Sequence, residues 1–371
     1  MTEGAYAFEE IQTFQEFLAL EDEWNDLLDG SLADLPFLRH EWFRIWWSQF
    51  GVQHRLAIIL GRRGRKVCFA APLMERSRRM MGLPLTCLQS LTNDHSCRFD
   101  LLVREGEESA LERFCGYLAR RPRPWDLLLL QDVAEDSPVL PGLIRAARNA
   151  GYRAEADHAY TCPYLPLGGS WADYWSGLKP KFRSNIRNRS TRVVLRGPLD
   201  FRVASDPEQV AAALAVGIEL EQRSWKGNAG SAIASDPSVA AFYTQWMQVA
   251  ADRGWARLSL LTVGSEPAAF DCGLRYRDRF YSVKIGYDPE FAPYSVGQLL
   301  KRELLQRLFA EGVREYDFLG EINDSKRDWL PRTREHEWIF VYGRGILPRL
   351  HYAYKFQLRP RVKALLKRAG K

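Results

Sequence analysis

Three β-patterned runs crowd together in the second half of this chain: RLSLLTV (Arg257–Val263), PAAFDCGLRY (Pro267–Tyr276) and RFYSVKIGYD (Arg279–Asp288). Each alternates β-branched or aromatic residues with small or polar ones, and only Arg277 and Asp278 separate the last two. Links this short allow antiparallel pairing alone, since a parallel partner needs a crossover of a dozen residues or more. The meander then breaks at a proline-flanked turn and resumes as a helix from about Val296 to Glu311, with Leu300, Leu304 and Leu308 on one face and Gly312 closing it.

Period-2 alternation predicts two polar strand faces. Ser282, Lys284, Gly286 and Asp288 face one way, away from Tyr281, Val283, Ile285 and Tyr287, and Asp271, Gly273 and Arg275 share a face of the neighbouring strand. Adjacent small-residue polar faces imply a groove, and a solvated sheet face is the alternative. The start of the following helix leaves backbone N–H groups unpaired and partly positive, which suits a pyrophosphate. A plain structural turn is the alternative there.

The chain has 371 residues, too many for one ordinary core, so two domains are expected. The second half reads strand (Leu199–Ala204), helix after Asp206-Pro207, helix from about Pro237 to Asp252, meander, helix, and the strands VREYDFLG and HEWIFVYG. The first half repeats that order loosely: YAFEEI, helices around Thr13–Leu28 and His40–Phe50, RLAIIL, KVCFAAPLM, CRFDLLV, a helix near Glu107–Arg120, WDLLLLQ and a helix near Pro138–Ala150. The expected division is 1–168, a basic helical connector 169–198, a second domain 199–345, and a basic amphipathic tail 346–371. Each domain is of the α/β (α+β) class, a mixed and mostly antiparallel sheet flanked by helices.

The net charge of +6 is concentrated in two acid-free runs, Lys179–Arg196 and Lys355–Lys371. A solvated helix face is one reading of each. The tail sets Phe356, Leu358, Val362, Leu365 and Leu366 between its cations, a pattern for a helix lying on an anionic membrane. Zinc-finger, RNA-binding strand and helix-turn-helix signatures are missing, so nucleic acid is not an expected partner. The six cysteines and six histidines are scattered without ligand spacing, so neither a metal nor a disulfide is expected. MTEGAYAFEEIQ is acidic and lacks an apolar leader core, and no apolar run approaches spanning length. These features predict a cytoplasmic protein, with the tail able to hold it at the inner face of a membrane.

EQRSWKGNAGSAIASDP (Glu221–Pro237), KIGYDPEFAPYSVGQLL (Lys284–Leu300) and YDFLGEINDSKRDWLP (Tyr316–Pro331), in that order, resemble the CelD-like acetyltransferase family of the GNAT superfamily, a relative of the Fem-type peptidyltransferases. The resemblance spans about Trp171–Tyr342, with a fainter echo in FLRHEWFRIWW and FAAPLM. It implies two tandem GNAT-like domains, the first divergent, and acyl transfer from acetyl-CoA or acyl-CoA in making exopolysaccharide or other cell-envelope components. The resemblance puts the donor against Ile285, Gly286, Tyr287, Tyr294, Ser295, Val296, Gly297, Gln298 and Leu299. This turn has less glycine and arginine than the usual GNAT one, so a carrier-protein thioester or an aminoacyl-tRNA donor stays open.

By the same resemblance Lys326 neutralises charge developing at the reacting carbonyl, and Asp317 and Glu321 orient it or accept the amine proton. An exposed loop lysine and a capping aspartate are the structural alternatives. Glu221, Trp225 and Lys226 belong to the acceptor side, with Asp271, Lys284 and Asp288 from the predicted groove. Arg183 and Arg187 offer forked donors to a phosphorylated or uronic acceptor, or to tRNA in a Fem-like reaction. Transfer to a long-chain base, as in ceramide formation, and a catalytically silent double-GNAT binding module complete the alternatives. The acidic CRFDLLVREGEES turn marks the first domain as scaffold and cleft wall.

Overall fold

The computed structural model describes residues 6–224, 227, 230 and 232–362. Two compact units divide the chain, residues 1–159 with 335–371 and residues 160–334. The expected division placed 335–345 in the second domain and set 346–371 apart as a tail. Instead the chain returns to the first unit after Arg334.

The first unit opens with β1 (Tyr6–Ile11), α1 (Phe14–Leu18), α2 (Glu21–Asp29) and α3 (His40–Phe50). Then come β2 (Arg55–Leu56), β3 (Ile58–Arg63), β4 (Lys66–Ala71), β5 (Leu73–Met80), β6 (Leu83–Ser90) and β7 (Leu102–Val103). It continues through α4 (Ala110–Arg120), β8 (Leu127–Ala134), α5 (Leu140–Asn149) and β9 (Arg153–Pro166), whose residues from 160 on belong to the second unit.

The second unit adds α6 (Trp171–Gly177), α7 (Pro180–Val193), β10 (Leu199–Ala204), α8 (Pro207–Arg223) and α9 (Pro237–Asp252). Its meander is β11 (Ala256–Val263), β12 (Glu266–Tyr276) and β13 (Arg279–Tyr287), followed by α10 (Val296–Ala310), β14 (Glu315–Asp317) and the single turn α11 (Asp324–Arg327). The chain ends in β15 (Arg332–Tyr342) and α12 (Ile346–Tyr352), which runs on as a π-helical segment, Ala353–Leu358.

In the first unit β1-β3-β4-β7 form one sheet, and β15-β8-β6-β5-β2 are neighbours in that order. All these pairs are antiparallel except β6 with β8. The predicted CRFDLLV strand shrinks to Leu102–Val103. In the second unit the order is β10-β11-β12-β13-β14-β9, antiparallel except for β13 with β14. The second unit is thus one mixed, mostly antiparallel sheet flanked by helices, as the sequence pattern implies, whereas the first divides its strands between an antiparallel four-stranded sheet and a mixed row.

Local chemistry sets the helix starts. Asp206 and Asp236 each precede a proline at the first helical position and accept backbone N–H groups from the first turn, Gln209 for α8 and Ser238 and Val239 for α9. On one face of the second unit's sheet, α10 buries Val296, Leu299, Leu300, Leu304, Leu305 and Leu308 in a core shared with Phe280 and Tyr316. The basic helix α7 joins that core through Phe182, Ile186 and Val193, so it is amphipathic rather than solvated all round. Truncating Leu304 to alanine should lower the stability of this unit by about 2–5 kcal/mol, read from denaturant unfolding.

Candidate active site

The parallel pair in the second unit is short. β13 and β14 match only Arg279–Tyr281 with Glu315–Asp317. β13 runs on to Tyr287 with β12 as its neighbour, while the chain after β14 turns toward β9: Phe318 N–H donates to the Pro163 carbonyl (3.2 Å) and Ile322 N–H to that of Thr161 (3.0 Å). The two strands therefore part beyond Tyr281 and Asp317, and β13 presents an edge with exposed Ile285 and Tyr287.

The first turn of α10 stands at the end of that edge. Ser295 precedes it in the left-handed region (φ 49°, ψ 46°) and contributes no side-chain cap. The carbonyl of Ser295 accepts from Gln298 and Leu299 N–H, so Val296 and Gly297 are the amides left over, without an acceptor among the described residues. A Cβ at Gly297 would meet nothing nearer than the Tyr287 ring, 3.9 Å away, so the approach is open. Val296 and Leu299 instead point into the core. Tyr294 packs on that core under the Arg192 guanidinium, 5.8 Å from its ring, and Arg196 pairs with Glu290 at 2.8 Å. The positive charge that the turn itself lacks is thus brought by α7. Neither arginine belongs to the turn's own sequence, and only its neighbourhood in space reveals them.

Across the parting lies the loop that carries Lys326. Its ammonium donates to the carbonyls of Leu319 (2.7 Å) and Glu321 (2.8 Å), in a turn made by left-handed Leu319 (φ 48°) and Gly320 (φ 60°). Burial lowers the Lys326 pKa, against the opposing pull of Cys162, Asp317 and Glu321. Two of its three donors are used and one remains. Glu321 supplies its backbone carbonyl here, and its residue is exposed. Asp317 is fully buried: one oxygen accepts Leu319 N–H (2.9 Å) and the Cys162 thiol (3.5 Å), the other an Arg334 N–H (3.2 Å). The carboxylate expected to take the amine proton is held by its own turn. Gln298 ties the two sides together, donating to the Ser325 carbonyl (3.0 Å) and accepting from the Trp329 indole (2.6 Å).

The predicted groove face requires correction. The β12–β13 register slips between Cys272 and Gly273, which pair with Lys284 and Ser282, so Val283 is an extra residue. That bulge turns Ser282 away from Lys284 and onto the face of Asp271. There Ser282 Oγ (2.7 Å) and Tyr316 OH (3.3 Å) both donate to Asp271, fully buried on the α10 side. Its other oxygen finds no partner among the described residues, and burial raises its pKa to about 6. Buried Lys301, lowered to about 8 by desolvation and partly restored by Asp271, is its charged neighbour. Asp271 thus lies in the core under the strands, not in an acceptor groove.

Lys284 and Gly286 face the opposite side, the lysine 5.1 Å from the Tyr243 ring and the glycine against Phe270. Asp288 caps the turn through Glu290 N–H (2.9 Å) and pairs with Arg223 (3.3 Å). Glu221 is buried, accepting Ile233 N–H at 2.8 Å. Arg183 donates to the Leu178 carbonyl (3.1 Å), and Arg187 is exposed. Trp225 and Lys226 lie outside the described residues.

The first unit has the parallel pair but not the parting. Beyond Gln89 and Leu129, Gln89 donates to Gln131 (2.6 Å), Gln131 N–H to Ser90 Oγ (3.1 Å) and Phe99 N–H to the Asp132 carbonyl (3.1 Å). The chain's own segment occupies that edge. Among the described residues no three His, Cys, Asp or Glu side chains are placed to hold a metal ion, and no helix is long and apolar enough to cross a membrane.

A parallel pair that opens toward a helix start, inside an otherwise antiparallel sheet, defines a GNAT-like fold, and residues 180–327 match the family model described as an acetyltransferase (GNAT) domain. That is coarser than the CelD-like resemblance. Among solved structures the chain is similar to FemX, with 12% identity, TM-score 0.61, and 95% of this chain and 100% of that one covered. It is also similar to a conserved protein from Bacteroides thetaiotaomicron (13% identity, TM-score 0.57, 91% and 100% covered) and to L-PGS from Bacillus licheniformis (12%, 0.52, 88% and 93%). At such identities the likeness is one of fold. No curated protein matches the sequence.

The Asp271 carboxyl gives the unit a pH signature. The folded protein keeps this proton to about pH 6, whereas the unfolded chain releases it near 3.8. The group's contribution to stability is therefore complete below about pH 4 and falls as pH rises to about 6, by about 3 kcal/mol in all. In urea unfolding at a series of pH values, the stability of wild type relative to Asp271→Asn should decline across that window. A flat difference would show that the carboxyl does not titrate there.

Proposed function

We propose that the second unit is a GNAT-type acyltransferase, moving an acetyl or longer acyl group from a coenzyme A or carrier-protein thioester to an amino or hydroxyl group of an envelope glycan or lipid precursor. The observation that carries this reading is the parting of β13 and β14 beside the free amides of Val296 and Gly297. The amide-bearing arm of the donor lies in the wedge between β13 and β14, and its phosphates meet the two amides and Arg192. Its thioester carbonyl then points across the parting toward the remaining donor of Lys326.

The acceptor arrives as a neutral amine or a hydroxyl, and its lone pair attacks the carbonyl carbon. Negative charge collects on the carbonyl oxygen, where an ammonium already fixed by two loop carbonyls stabilises it without reorganising. Collapse breaks the C–S bond, and the departing thiolate takes the proton released by the acceptor. The envelope acceptor rests on the CelD-like motifs alone.

Aminoacyl-tRNA-dependent transfer is the second reading, favoured by the exposed arginines along α7, and strong salt-dependent tRNA binding would support it over the first. The direct test is release of free thiol from acetyl-CoA and long-chain acyl-CoA in the presence of amino-sugar, glycan and long-chain-base acceptors. Silence from folded protein with every donor would overturn acyl-CoA chemistry.

Two variants probe the site. Gly297→Glu has room for its side chain and puts a carboxylate at a helix start, so it should keep or slightly raise thermal stability, by up to about 1 kcal/mol. The same charge should weaken acyl-CoA binding more than about ten-fold in calorimetry. Lys326→Ala should lower kcat by about 10²–10³ with a much smaller change in KM. An unchanged kcat would leave Lys326 as a loop anchor only.

A further inference from the structure

The C-terminal helix of the first unit has two apolar faces, and only one is covered. Leu347, Pro348, His351, Tyr352 and Phe356 turn inward, with Leu347, Tyr352 and Phe356 packed on a cluster that includes Leu85, Cys87, Leu129 and Tyr342. His351 Nδ1 lies 2.9 Å from Tyr342 OH, and the Lys355 ammonium pairs with Asp157. Phe356, read from the sequence as part of a membrane-facing set, is instead half-buried against that core.

The outward face carries Ile346 (76% exposed), Leu350 (52%), Tyr354 (46%), Leu358 (52%) and Val362 (52%). They recur every four residues. An α-helix advances about 100° per residue, so that spacing alone would drift by about 40° at each step and wind the row around the helix. The π-helical stretch Ala353–Leu358, with more residues per turn, removes part of that drift. The result is an exposed apolar stripe that winds less than the spacing alone would make it. Arg349, Arg359 and Arg361 are exposed on the same segment, and residues 346–362 contain no Asp or Glu.

We infer that this row is a docking surface for an anionic lipid bilayer, on which the helix lies parallel to the membrane plane. Apolar side chains exposed along the outer side of a convex helix enter a flat headgroup region, while flanking arginines meet lipid phosphates. A second copy of the chain fits less well. A two-fold contact through the row would bring the arginines of both copies together, with no carboxylate on the segment to pair them.

The test is co-sedimentation of the full chain with phosphatidylcholine vesicles with and without phosphatidylglycerol. Wild type should bind the anionic vesicles selectively, and Leu350→Glu with Leu358→Glu should bind about ten-fold more weakly at an unchanged melting temperature. A second variant, Arg349→Ser with Arg359→Ser and Arg361→Ser, keeps the apolar row and should lose the preference for phosphatidylglycerol. Equal binding by wild type and both variants, no binding by wild type, or a dimer in light scattering that the glutamates disperse would each overturn the inference.

Discussion

A buried guanidinium fixes the geometry on which the candidate site depends. Arg334 reaches Asp317 at 3.2 Å and Glu315 at 2.9 Å, and its plane lies 4.0 Å from the Tyr164 ring. It thereby joins β14 to the end of β9 inside the second unit. Removing one member of such a pair leaves an uncompensated buried charge, a cost of about 3–5 kcal/mol. With the end of β14 held in this way, the chain after Asp317 follows β9, away from β13. The wedge is a consequence of where β14 is pinned.

Lys326 belongs to the same arrangement. An ammonium in a partly desolvated loop needs carbonyl partners, and the left-handed pair Leu319-Gly320 aims two of them at it. What fixes the loop also fixes the charge, which favours electrostatic catalysis over proton transfer. The lysine cannot swing to follow a proton, and it need not move to meet an oxyanion. Asp317 has both oxygens engaged, by Leu319 and Cys162 on one side and Arg334 on the other.

The meander, α10 and the Asp-Pro helix starts were legible because periodicity and capping are local properties of sequence. What escaped sequence reading was non-local or hinged on one residue. The extra Val283 reverses the face of Ser282, and nothing in RFYSVKIGYD marks a bulge. Position 295 holds a left-handed serine where pattern reading expects glycine. The aromatic Phe356 sits midway along a basic run, so composition assigned it to the membrane face, whereas the strands beneath it claim it for the core. The return of 335–362 to the first unit is a topological fact with no compositional signal.

The unusual sequence of the β13–α10 turn has a physical resolution. In the proposed phosphate turn the left-handed position falls on Ser295 rather than on a glycine, with strain of order 1–3 kcal/mol. Such strain persists only where neighbours over-determine the backbone, and here Ser295 N–H donates to Ala292 while its carbonyl accepts from Gln298 and Leu299. The local consequence is a helix start whose two leading amides stay unpaired, next to a glycine rather than a side chain. Arg192, contributed by α7, lies over Tyr294 of the turn and brings it a positive charge. The turn on which the proposal rests thus combines one strained serine, one open glycine and a neighbouring helix, features that a motif search on the turn alone does not see.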